Sequence, residues 1–152
     1  MLLQSSAEME AEAARFVASL SPRARDATVI ALSGELGAGK TAFVKGVAKA
    51  LGIEEHVTSP TFVIMKIYTL EGQKFDRLIH IDAYRLKGAH HLKVLGWDEL
   101  LADPKNLICI EWPEMAEGAL PRSAIPIALR YSGEDERKIY YQGEGEEAAG
   151  LA

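Results

Sequence analysis

A chain of 152 residues with a net charge of −5 at pH 7, 48% hydrophobic and 26% charged residues, has room for one domain around one core. Its acidic balance argues against a broad nucleic-acid-binding face, DNA included, and leaves open only a local basic patch. No apolar run approaches the roughly 20 residues of a membrane-spanning helix, and the acidic stretch Met1 to Glu12 does not read as a secretory signal.

Ser6 to Leu20 reads as a first helix, capped by Ser6, with Ala13, Phe16, Val17 and Leu20 on one face. Thr28 to Leu32 is a short apolar run rich in β-branched residues, suited to a buried strand. A glycine-rich loop follows at once, and then a helix from about Lys40 to Leu51, with Gly52 placed to end it. Thr61 to Tyr68 and Arg77 to Asp82 are strand candidates joined by a turn around Glu71-Gly72-Gln73, which predicts an antiparallel hairpin. His90 to Leu101 reads as one helix and Asn106 to Glu111 as a buried strand. Ile125 to Tyr131 and Lys138 to Tyr141 pair as a final hairpin across Gly133-Glu134-Asp135. Residues 143 to 152 form an acidic tail poor in bulky side chains and expected to fray. The order predicts a single α/β domain on a mixed parallel and antiparallel central sheet.

Lone Cys109, within Leu107-Ile108-Cys109-Ile110, cannot form an intrachain disulfide and fits a reducing compartment, so a cytoplasmic location is expected. Its apolar neighbours mark it as a small core residue rather than a nucleophile.

Gly34-Glu35-Leu36-Gly37-Ala38-Gly39-Lys40-Thr41 matches G-x-x-x-x-G-K-[ST] at every fixed position. Glycines let the backbone fold back so that several amide N–H groups point at one anion, and the following helix adds its N-terminal dipole. Lys40 can then reach the β- and γ-phosphates, and the Thr41 hydroxyl can ligate magnesium. The plain alternative is a glycine-rich strand–helix turn, which the strand before and the helix after make the poorer account. A magnesium triphosphate site also needs a carboxylate at a neighbouring strand end. Asp82 and Glu111 both stand where an apolar strand stops; each could instead mark a return to solvent. Thr58-Ser59-Pro60-Thr61 places hydroxyls where a switch segment would sense the γ-phosphate, or is an ordinary proline turn. His80 alternates with apolar residues and reads as a satisfied core or interface histidine. His90 and His91 lack a second ligand pair at zinc spacing, and Trp112 either plugs a pocket or anchors a partner.

The loop from Leu32 to Thr41, Thr58-Ser59-Pro60-Thr61-Phe62, His80-Ile81-Asp82-Ala83-Tyr84-Arg85-Leu86 and Ile110-Glu111-Trp112-Pro113-Glu114 occur in the order and at the separations of the TsaE (YjeE) family, which this chain resembles from about residue 28 to 115. The family commonly has a threonine in the first helix, where this chain has Met9-Glu10-Ala11-Glu12. The resemblance implies a three-layer, phosphate-loop NTPase-like fold and an ATP- and magnesium-binding ATPase of tRNA threonylcarbamoyladenosine biosynthesis, weak alone, that works with TsaB and TsaD on tRNAs reading codons that begin with A. Contact with tRNA would then be indirect, through the complex. By motif position the nucleotide contacts would be Glu35, Leu36, Gly37, Ala38, Gly39, Lys40, Thr41, Ala42 and Thr61, with Arg137 a further candidate. Thr41, Asp82 and Glu111 would hold magnesium or its waters; Lys40, Asp82 and Glu111 would carry the chemistry, Glu111 orienting the attacking water. Arg85, or a partner, would supply a cationic finger. A small-molecule kinase would need a lid insertion that the length does not offer. A GTPase would need Asn-Lys-x-Asp and Asp-x-x-Gly, which are absent. A nucleotide-gated scaffold, controlled by occupancy rather than hydrolysis, stays open.

Overall fold

Seven strands form one sheet in the order β1-β7-β6-β2-β5-β4-β3 in the computed structural model, which describes residues 1–55, 57, 58 and 64–141. The strands are β1 (Leu2–Leu3), β2 (Thr28–Ser33), β3 (Met65–Thr69), β4 (Arg77–Asp82), β5 (Asn106–Glu111), β6 (Ile125–Gly133) and β7 (Glu136–Tyr141). The central strands β6, β2, β5 and β4 run parallel, while β7 and β3 join the sheet antiparallel. The expected mixed α/β sheet is therefore present. Parallel centres are covered on both faces, and the sequence shows it: every residue of β5 is buried.

Helices α1 (Ser6–Ala18) and α2 (Lys40–Ala50) cover one face, where Phe16, Phe43, Val44 and Val47 meet Ile30, Leu32, Leu78, Leu107 and Cys109. Burial pushes the Cys109 thiol up to about 12, which keeps it a protonated core group. The opposite face carries α3 (Ala89–Val94), α4 (Trp97–Leu101) and two short 3₁₀ turns, Ala83–Arg85 and Pro113–Ala116, over Val29, Ile79, Ile81, Ile108 and Ile110. Two hydrophobic layers thus sandwich one sheet.

Several local expectations change. The α1 cap is Ser5, whose Oγ accepts from the Glu8 amide at 3.1 Å, and the helix stops at Ala18, short of Leu20. The helix expected from His90 to Leu101 is two helices, because Gly96 takes φ 88°, a left-handed conformation that ends one helix and starts the next. The first hairpin strand begins at Met65; the expected start at Thr61 lies outside the described residues, as does the tail from 143. The final strands are longer than expected, and β1 adds an edge pairing, Leu2 opposite Lys138, that a two-residue segment does not advertise. Among the described residues no helix is long and apolar enough to cross a membrane.

The C-terminal strand is tied to α1 through a buried carboxylate. Arg15 donates from Nε to Glu12 Oε1 at 2.8 Å and from Nη2 to Oε2 at 2.5 Å, and the Tyr141 hydroxyl donates to Oε2. The Arg15 hydrogen bond holds the Glu12 carboxyl below the usual carboxylate range against the opposing effect of burial, with Tyr141 helping. A carboxyl depressed in the folded state stabilises it above the unfolded value of about 4.5 and loses that contribution as pH falls through the folded value. Glu12→Gln should therefore lower stability by about 1–3 kcal/mol at neutral pH. In denaturant titrations the gap from wild type should close as the pH drops below that range.

Candidate active site

Parallel pairing sets the site. Leu32 of β2 lies opposite Glu111 of β5, and Glu111 opposite Asp82 of β4, so three strands end at one level of one sheet edge. Alternation along β4 and β5 turns Leu78, His80 and Asp82, like Leu107, Cys109 and Glu111, toward the α2 face. The loop leaves β2 just beyond Leu32 and feeds α2, whose first residues are Lys40 and Thr41.

Gly34 has φ 147°, and a Cβ there would collide with the Leu129 carbonyl oxygen of β6. Gly39 precedes α2 with φ 106°, aiming the helix's first amides into the cleft. Lys40 is buried and folds back over its own loop. Its Nζ donates to the Gly34 carbonyl and, at 2.9 Å, to that of Glu35, and it lies 4.0 Å from the centre of the Trp112 ring. Burial pushes the Lys40 ammonium below the usual lysine range, while Glu111, Glu114, Asp82 and Glu35 act in the opposite direction. Trp112 takes φ 59°, which turns the chain sharply after Glu111, and its ring also meets Tyr84 at 5.1 Å. The half-buried ring thus lines the cleft.

Thr41 Oγ1 lies 3.0 and 3.1 Å from the two Glu111 carboxylate oxygens. Glu111 is 3% exposed and Asp82 5%. Asp82 accepts from the Tyr84 amide at 3.0 Å, capping the 3₁₀ turn that carries Arg85. Around these groups opens a cleft of about 560 Å³ lined by Leu36, Gly37, Gly39, Lys40, Thr41, Ala42, Asp82, Tyr84, Arg85, Glu111, Trp112 and Arg137. Thr41, Asp82 and Glu111 offer one hydroxyl and two carboxylates, all hard oxygen donors. Magnesium suits such a set, being held by one or two carboxylates with phosphate and water completing its shell. Among the described residues no cluster of three or more His, Cys, Asp or Glu forms an all-protein metal cage.

The structure thus brings together Gly37, Gly39, Lys40, Thr41, Ala42, Asp82 and Glu111. Glu35 contributes its backbone carbonyl to Lys40, Ala38 is buried beneath the loop with its amide on the Glu35 carbonyl, and Leu36 stands 87% exposed at the tip. Arg137 reaches in from β7, where its Nε donates to the Gly37 carbonyl at 3.0 Å and its Nη1 to Gly133 and Glu136. Its present work is bracing the loop. Thr58 is exposed, and Ser59, Pro60 and Thr61 lie outside the described residues. Met9, in the α1 stretch Met9-Glu10-Ala11-Glu12, packs against the loop, and a Cβ on Gly39 would sit 2.9 Å from its methyl. His80, read as a core residue, is fully buried but not merely packed: its Nε2 lies 2.6 Å from Glu111 Oε2. The available signal was its strand parity, shared with Asp82.

Comparison with known proteins extends this geometry. The family model described as "Threonylcarbamoyl adenosine biosynthesis protein TsaE" matches residues 3–139. A Bacillus subtilis protein named tRNA threonylcarbamoyladenosine biosynthesis protein TsaE is 38% identical over 122 residues, covering 80% of this chain and 73% of its own. A Streptomyces coelicolor protein of the same name is 38% identical over 128 residues, covering 80% and 84%. The crystal structure of Bacillus subtilis YdiB superposes with a TM-score of 0.74 at 32% identity, over 99% of this chain and 88% of that one.

Gly34→Ala should cost about 1–3 kcal/mol through backbone strain and the Leu129 collision. A lowered denaturation midpoint with an unchanged slope would be the signature.

Proposed function

The chain belongs to the TsaE family of tRNA threonylcarbamoyladenosine biosynthesis, and from that premise we propose that it is an ATP- and magnesium-dependent ATPase subunit acting in the cytoplasm with TsaB and TsaD. Family membership itself carries a phosphate-loop nucleotide-binding role in that pathway. The observation that supports the finer reading is the Thr41–Glu111 contact, with Asp82 on the adjoining strand and the glycine loop in front.

In this reading the loop amides and the α2 N-terminus receive the phosphates, contacting nucleotide from Glu35 to Ala42. Lys40 gives up its own-loop carbonyls and the Trp112 face to meet the β- and γ-phosphates, and the arriving anion favours its charged form. Thr41, Asp82 and Glu111 would hold magnesium, which neutralises phosphate charge when bound. Glu111, fixed by two neighbours, is the group to orient a water toward the γ-phosphate. Asp82 supports the same edge from β4. Hydrolysis of this kind depends on positioning and charge and needs no covalent nucleophile. Arg85, exposed on the turn after Asp82, is the chain's own candidate for a cationic finger, the partner being the other source. Thr61 and Arg137 complete the nucleotide contacts in this reading, Arg137 while bracing the loop.

Calorimetry with ATP and magnesium should show Lys40→Ala weakening binding by about tenfold or more; wild-type affinity would remove the site assignment. Reconstitution with TsaB, TsaD and a tRNA substrate, following ATP consumption and modified adenosine by mass spectrometry, tests the whole. Glu111→Ala should bind ATP but stop both hydrolysis and repeated modification. Continued modification without hydrolysis would instead establish occupancy as the controlling event, the scaffold reading.

A further inference from the structure

His80 is 0% exposed in the middle of β4, on a face where its strand neighbour is Leu78. An imidazole buried there costs free energy unless its nitrogens find partners. One does: Nε2 lies 2.6 Å from Glu111 Oε2, whereas Nδ1 has no hydrogen-bond partner among the described residues. A carboxylate offers acceptors only, so against an ionised Glu111 this contact requires an Nε2–H donor. The contact runs diagonally across the β4–β5 ladder, because His80 is register partner to Cys109, one core-facing position before Glu111.

Glu111 is therefore gripped from two directions, by Thr41 Oγ1 from α2 and by His80 Nε2 from β4. The two grips differ. Thr41 Oγ1 is also the hydroxyl assigned to magnesium, while His80, which does not line the cleft, meets it through Glu111. A glutamate side chain has three rotatable torsions, and a partner that fixes the carboxylate from behind removes that freedom before any substrate arrives. We propose that His80 is a positioning residue: it holds the Glu111 carboxylate toward Thr41 and the cleft, and it acts on hydrolysis only through Glu111. The proposal rests on the ATPase reading given above.

Two substitutions separate positioning from packing. His80→Leu keeps an apolar side chain of similar reach and removes the donor, and His80→Gln places an amide N–H where Nε2 stood. In the reconstituted system His80→Leu should lower kcat for ATP hydrolysis about 10–100-fold and change KM by less than about threefold. His80→Gln should recover most of the lost rate. Independently of turnover, the imidazole nitrogen resonances of histidine-labelled wild-type protein should show His80 protonated at Nε2, with that signal moving in Glu111→Ala. This measurement on the wild type decides the hydrogen bond even where His80→Leu fails to fold.

An unprotonated Nε2, a His80→Leu enzyme with normal kcat, or a Gln variant no better than Leu would each overturn the proposal. Wild-type protein that never hydrolyses ATP in the full complex would overturn the ATPase reading and the proposal together. Loss of activity confined to the His80 variants would leave that reading intact.

Discussion

The parallel register of β2, β5 and β4 is the constraint from which the rest of the site follows. It sets Leu32, Glu111 and Asp82 in one row, so that the loop leaving β2 and the carboxylates ending β5 and β4 arrive at the same edge. A slip of one residue would turn Glu111 from the α2 face to the opposite layer, among Ile108, Ile110 and Trp112. The Thr41 contact, the His80 contact and the carboxylate pair would then all be lost. Carrying the Glu111 carboxylate into that apolar layer, away from its donors, is what makes such a slip expensive.

That edge gathers groups which are costly to bury alone. Lys40, Asp82, Glu111 and His80 all lie below the surface within one neighbourhood. The protein offsets part of the cost locally: Lys40 is solvated by its own loop's carbonyls and by the Trp112 face, Asp82 by the Tyr84 amide, and Glu111 by Thr41 and His80. Each substitute is a fixed dipole or donor rather than mobile water. A site of that sort is organised before its ligand binds, which is the condition under which electrostatic stabilisation is cheapest to apply.

What could be read from sequence divides along physical lines. Strand ends at Asp82 and Glu111, and the glycine loop itself, are local signals: apolar runs that stop at an acid, and a spacing that only a tight anion-facing turn requires. The helix break at Gly96 was also local but ambiguous, because one glycine in a periodic stretch is tolerated as often as it terminates. The Arg137–Gly37 contact and the β1–β7 pairing were not legible, since they join segments 100 residues apart in the first case and farther still in the second, with no pattern linking them. His80 lay between these cases. Its parity placed it on the Asp82 face, but only the register between strands reveals that it falls diagonally to Glu111 rather than against an aliphatic neighbour.

The same geometry gives a reason for partner dependence within the proposed function. The oxygen donors and the phosphate loop are carried on elements of this one chain, and among the described residues the cleft stays open at its mouth. Leu36 stands almost fully exposed at the loop tip, and the Tyr84 ring is exposed where it leans on Trp112. Exposed apolar groups beside a charged cleft are surfaces that exclude water only once something covers them. A protein partner seated there would bury Leu36 and Tyr84 and lower the dielectric around Lys40 and Glu111. Arg85, on the turn that bears Tyr84, would move with the same surface. On the proposed reading, covering that rim would be the step that joins partner docking to catalytic competence.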